Sequence, residues 1–107
     1  MFIVYMGTMR LYRKLAECTG FEWDEGNATK NWEGHEVTQA ECEQVFFNRP
    51  LLVNRDKRHS LAEPRFYTLG KTDADRWLFI AFTIRAKKVR VISARDMTPR
   101  ERKRYEQ

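Results

Sequence analysis

Apolar positions follow two rhythms along the chain. Near the C-terminal end, Trp77-Leu78-Phe79-Ile80-Ala81-Phe82-Thr83-Ile84 and Val89-Arg90-Val91-Ile92-Ser93-Ala94 are short runs rich in aromatic and β-branched residues. Such residues pack well on a pleated surface. The short Ala86-Lys87-Lys88 link between them predicts a tight antiparallel hairpin. Side chains alternate faces along a strand, so Thr83 shares a face with Arg85, and Ser93 with Arg95. A register that brings those faces together would make a patch of guanidinium and hydroxyl groups suited to phosphate. Leu51 to Asn54 and Arg65 to Gly70 predict two more strands. Arg55 to Glu63 is a polar connection, and Lys71 to Asp75 a turn.

The helical rhythm lies upstream and at the very end. Thr38 followed by Glu41 fits a capping box, with Val37 stapling to Cys42. That helix should run to about Phe47, bury Ala40, Val45 and Phe46, and stop at Asn48-Arg49-Pro50. Asp24 reads as the N-cap of an earlier helix from Glu25 to Glu33, stopped by Gly34. Phe21-Glu22-Trp23 reads as extended. Leu11, Leu15 and Cys18 could line a short helix ended by Gly20. Thr98-Pro99-Arg100-Glu101 opens the last helix with a second capping box and proline at its first position. The expected architecture is α+β: two N-terminal helices, a four-stranded antiparallel sheet and a C-terminal helix. Residues 1–20 read as an N-terminal extension and residues 21–107 as one domain.

Composition narrows the class. A chain of 107 residues supports one modest core. Nothing in it is long and apolar enough to span a bilayer, and Met1 to Met6 lacks the flanks of a secretion signal. Cys18 and Cys42 make neither a disulfide framework nor a zinc site, which suits reduced thiols in a cytoplasmic protein. Charge is uneven. Eight acidic residues and only Lys30 among bases lie between Glu17 and Glu43, whereas sixteen basic and seven acidic residues follow from Gln44 onward. This division suggests two surfaces with different partners, the basic one for a polyanion.

The chemistry is sparse. No metal constellation, glycine-rich phosphate loop or serine elbow is present, and no cofactor is expected. RNA strand cleavage needs only a proton-transfer group and charge stabilisation at phosphorus. His35 with Arg65, Arg85 and Arg95 would supply both without a metal. Plainer roles compete: capping or packing for His35, surface for His59, ion pairing for each arginine, and core for Trp23, Trp32 and Trp77.

Phe21-Glu22-Trp23-Asp24-Glu25, Asn31, His35, Val37-Thr38, the Glu41 to Phe46 helix, Arg65-Phe66, Gly70, Arg85 and Val91-Ile92-Ser93-Ala94-Arg95 with Glu101-Arg102 and Tyr105 together resemble the BrnT toxins. These are ribonuclease toxins of type II toxin–antitoxin systems, similar in fold to RelE toxins. The resemblance covers about Phe21 to Gln107. It implies RNA cleavage that inhibits translation. It also implies a BrnA-like ribbon-helix-helix antitoxin, contact with operator DNA through that antitoxin, and a homodimer of the toxin as a hypothesis. His35, Arg65, Arg85 and Arg95 match the family's histidine and sheet arginines. Lys87, Lys88, Arg90 and Arg102 are the further candidate RNA contacts. The chain departs from the family around its histidine, with Gly34 where lysine is usual and Glu36 where glycine is usual. Those departures keep open a non-catalytic toxin homologue that binds its antitoxin or regulates its operon. Simple nucleic-acid binding is a third reading.

Overall fold

Ala86 and Lys87 form the turn from which the sheet is built, with φ values of 49° and 63°. A two-residue turn of this left-handed kind matches the natural twist of two antiparallel strands and locks their register. The structure, a computed structural model, describes residues 9–29, 34–57 and 63–107. In chain order its elements are helix α1 (Met9–Ala16), strand β1 (Gly20–Phe21), helix α2 (Gln39–Phe47), strands β2 (Leu52–Arg55), β3 (Phe66–Lys71), β4 (Trp77–Arg85) and β5 (Lys88–Asp96), and helix α3 (Pro99–Glu106).

The α+β class is as expected, but the sheet has five strands in the order β1-β5-β4-β3-β2. It is mixed, because β1 runs parallel to β5, pairing Gly20 with Lys88 and Phe21 with Val89. Two residues are too short a signal to read as a strand. Backbone bonds extend the pairing on either side: the Thr19 N–H donates to the Lys87 carbonyl and the Glu22 N–H to the Val89 carbonyl.

The helices also differ from expectation. Residues 25–29 form turns, and the rest of the expected Glu25 to Glu33 helix lies outside the described residues. Asp24 does cap, its carboxylate accepting from the Gly26 N–H at 2.8 Å. Buried Asn27 then donates to the carbonyls of Glu22 and Val91, tying the turn to the edge of β5. Glycine and asparagine are weak helix formers, and an asparagine side chain competes for backbone groups. The first described helix is α1 instead. Leu11 is buried, and the Tyr12 hydroxyl donates to the Leu51 carbonyl at 2.7 Å while accepting from the Val53 N–H.

Both capping boxes are formed as read. Val37 and Cys42 are buried together with Val45 and Phe46, whereas Ala40 is exposed. One sheet face, with Val53, Phe66, Leu78, Ile80, Phe82 and Val91, packs on α1 and α2. The other carries a smaller cluster in which Leu52 and Leu69 meet Met97 and Tyr105, with Trp77 and Phe79 half-buried beside them. The Tyr105 hydroxyl fastens α3 by donating to the Pro50 carbonyl at 2.6 Å.

Candidate nucleic-acid interface

Each capping-box glutamate also grips an arginine of the sheet region. Glu41, which caps α2, accepts from the Arg76 guanidinium at 3.3 Å. Glu101, which caps α3, accepts both guanidinium N–H groups of Arg95, at 2.8 and 3.0 Å. A two-pronged arginine–carboxylate pair of this sort fixes orientation as well as charge. Arg76 goes further. It also holds Asp96 through two bonds and donates to the backbone carbonyls of His35 and Glu36. Hydrogen bonds from Arg76 are the main reason the Asp96 carboxyl is held below the usual range. Burial alone would raise the Glu41 carboxyl, but the Thr38 N–H and Arg76 together bring it lower.

The expected phosphate patch is divided by the register. Thr83 lies opposite Arg90 and Arg85 opposite Lys88, whereas Ser93 lies opposite Ala81 and Arg95 opposite Phe79. A bulge between these sets leaves Ile92 as an extra residue, which keeps Arg90, Ser93 and Arg95 on one face despite their spacing. Arg85 is thus six strand positions from the residue that faces Arg95, or roughly 20 Å at strand spacing. The two cannot clasp one phosphate.

At the turn end, Arg85 is bound by Glu63 at 2.9 Å and lies 3.9 Å from Glu22, while Arg90 is held by Glu22 and Asp24. Arg65, just before β3, adds its charge near Glu63. Lys87 and Lys88 project from the turn, exposed. Acidic residues of the front half therefore fold back onto arginines of the rear half. Part of the charge that is segregated in sequence is paired in space.

The other end of the same face combines rings and cations. Tyr67 stacks on Phe79 at 5.4 Å between centroids, and Trp77 meets Tyr105 edge-on at 4.8 Å. Arg95 lies over Phe79 at 4.1 Å, Arg102 over Trp77 at 4.8 Å, and Arg104 over Tyr67 at 5.7 Å. Arg104 also donates to the Tyr67 hydroxyl at 2.6 Å. Arg102 and Arg104 have no carboxylate partner among the described residues, and exposed Arg100 and Lys103 share their helix. Exposed His35 stands at this end. Asp96 feels the charges of both His35 and Arg102, which links the histidine to the rim of α3.

Alternating aromatic surfaces and unpaired cations suit a single-stranded polyanion, with bases stacking and phosphates neutralised. Arg102 falls in this surface as a candidate contact. Tyr67, Phe79 and Arg104 were not singled out in the sequence, although strand alternation puts Tyr67 and Phe79 on the α3 side. Arg76, Asp96 and their carbonyl contacts left no motif at all. Trp77 is half-buried on this face. Trp23 is half-buried elsewhere, its indole donating to Glu43 at 2.8 Å. Trp32 and His59 lie outside the described residues.

Glu36 has a φ of 56°, in the left-handed region where a Cβ is strained and glycine is at ease. Arg76 holds the conformation by binding the Glu36 carbonyl at 3.0 Å. Glu36→Gly is expected to raise stability by about 1 kcal/mol, measured by urea unfolding. It should also tighten RNA binding by removing a carboxylate beside His35.

A family model described as ribonuclease toxin, BrnT, of type II toxin–antitoxin system matches residues 23–101. No curated protein matches the chain.

Proposed function

The chain belongs to the BrnT family of ribonuclease toxins of type II toxin–antitoxin systems, and from that premise we propose that it cleaves RNA along the sheet face beside α3. The observation that carries this reading is the set of rings and cations formed by Tyr67, Phe79, Trp77, Arg95, Arg102 and Arg104, with His35 at its edge. Bases stack on the aromatic surface, and the strand's phosphates meet the unpaired guanidinium groups of α3. His35 moves the proton between the 2′-hydroxyl and the leaving oxygen, and Arg102 stabilises charge at phosphorus. No metal takes part in this scheme. Arg95, bound to Glu101 and lying over Phe79, shapes the surface and fixes α3 against it. Arg65, Arg85, Lys87 and Lys88 contact the strand farther along, Arg85 about 20 Å away at strand spacing. Arg90, engaged by Glu22 and Asp24, contributes to folding rather than to RNA.

The consequence in the cell is inhibition of translation in the cytoplasm, relieved by a BrnA-like ribbon-helix-helix antitoxin that takes the complex to operator DNA. A homodimer of the toxin within that complex is part of the same reading. Expression without antitoxin should arrest growth, and His35→Ala should release the arrest. RNA binding by the His35→Ala protein should weaken steeply with salt. Arg102→Ala and Arg104→Ala should each lower the log–log slope by about 0.7, the value for one single-strand phosphate.

A second reading, a binding subunit without catalysis, draws on the carboxylate pairing of Arg85 and Arg95 and on Glu36 beside His35. It predicts RNA binding or antitoxin binding without growth arrest.

A further inference from the structure

A groove of about 390 Å³ opens on the opposite side of the molecule from α3, between the end of α1, β1 and the end of α2. Tyr12, Leu15, Phe21, Phe46, Phe47 and Leu51 supply its apolar wall. Phe47 is the one large hydrophobic residue that stands well exposed among the described residues, at 75%. Its ring lies 6.2 Å from Phe21, so the exposed ring extends the groove rather than standing alone. An exposed apolar surface of this kind marks a contact site.

The charge beside it is one-sided. Arg49 lines the groove, and its guanidinium binds the backbone carbonyls of Phe46 and Asn48. Helix α1, which forms one wall through Tyr12 and Leu15, carries exposed Arg10, Arg13 and Lys14 on its outer side, outside the groove lining, with Lys14 5.6 Å over the Phe66 ring. None of these four cations has a carboxylate partner among the described residues, in contrast to Arg76, Arg85, Arg90 and Arg95. Glu17 is the exposed carboxylate nearby. Apolar wall and unpaired cations together fit a peptide segment that alternates large apolar side chains with Asp or Glu. RNA is assigned instead to the α3 face, where His35 stands.

We propose that this groove receives an acidic amphipathic segment of the antitoxin, on the face remote from the RNA surface. The inference rests on the antitoxin partnership of the preceding reading. It implies that the antitoxin is anchored where it does not compete with RNA.

The chain carries its own reporter. Cys18 lines the groove and is partly exposed, whereas Cys42 is fully buried with its thiol pushed up to about 12 by burial. The experiment compares maleimide labelling of Cys18 in the isolated chain and in the complex made by coexpression with its antitoxin. Affinity of Phe47→Asp and Arg49→Glu for the antitoxin is measured alongside, with circular dichroism to check folding. The expected result is at least tenfold slower labelling in the complex and at least tenfold weaker binding by both variants. A complex that labels at the free rate, with variants binding as wild type, overturns the groove while leaving the family partnership intact. Protection already present in the isolated chain also overturns it: dependence on concentration would identify a second copy as the occupant, and independence the chain's own residues. Failure to form any complex, together with absence of growth arrest, overturns the toxin reading itself.

Discussion

His35→Ala should slow RNA cleavage by about a hundredfold to ten-thousandfold, the usual worth of a positioned proton-transfer group. Folding should be almost untouched, because the imidazole is exposed and the structural bonds at this position use its backbone carbonyl. RNA affinity should therefore change little while the rate falls. A gel assay on purified protein, with binding followed separately, checks both. Arg102→Ala should show the complementary pattern, losing affinity and rate together, because its guanidinium is expected to meet phosphate in the ground state and in the transition state. Loss of rate in Arg85→Ala as large as in Arg102→Ala would shift the reaction to the turn end of the hairpin.

Arg76→Ala should cost the fold about 3 kcal/mol. The guanidinium joins the start of β4, the end of β5, the cap of α2 and the backbone carbonyls of His35 and Glu36. Removing it leaves Glu41 half-buried without its cation and frees the peptide at Glu36 from its restraint. Loss of a fully buried pair costs about 3–5 kcal/mol; the 28% exposure of Arg76 and the 64% exposure of Asp96 put the effect at the lower end. The pH dependence has a definite sign. Asp96 and Glu41 both have carboxyls held below their ordinary values in the folded protein. Their contribution is therefore complete above the ordinary carboxylate range and is lost as pH falls through the lowered folded values. The stability gap between wild type and Arg76→Ala should be full at pH 7 and should narrow below about pH 4. Urea titrations at a series of pH values measure it. A constant gap down to pH 2 would mean that packing of the arginine stem, rather than its ion pairs, supports the fold. Cleavage should fall too, since the same guanidinium positions the backbone that carries His35.

Local rules made much of this fold legible. The two capping boxes and the Ala86-Lys87 turn of the hairpin each rest on interactions within a few residues of one another. What escaped the sequence depends on contacts between distant segments. Strand β1 is two residues long and exists because β5 offers it an edge. The expected helix after Asp24 gives way to turns in residues 25–29 because Asn27 finds better partners on Glu22 and Val91. The bulge at Ile92 changes which side chains share a face, and strict alternation could not foresee it. The site shows the same limit. His35 and the arginines stood out as chemistry-bearing residue types, but ion pairing decides which guanidinium groups remain for phosphate. That pairing joins residues 6 to 68 positions apart. The acidic front half looked like a separate surface; three of its carboxylates, Glu22, Asp24 and Glu41, are counter-charges of arginines in the sheet region.

We propose that this chain cuts RNA with its own side chains at the α3 end of the sheet. The most direct test is cleavage of single-stranded RNA by the purified protein in EDTA, comparing wild type, His35→Ala, Arg102→Ala and Arg85→Ala. The expected result is cleavage that survives the chelator, falls about a hundredfold or more with the first substitution, drops sharply with the second and persists with the third. Chelator-sensitive cleavage, or equal activity in wild type and His35→Ala, would contradict it.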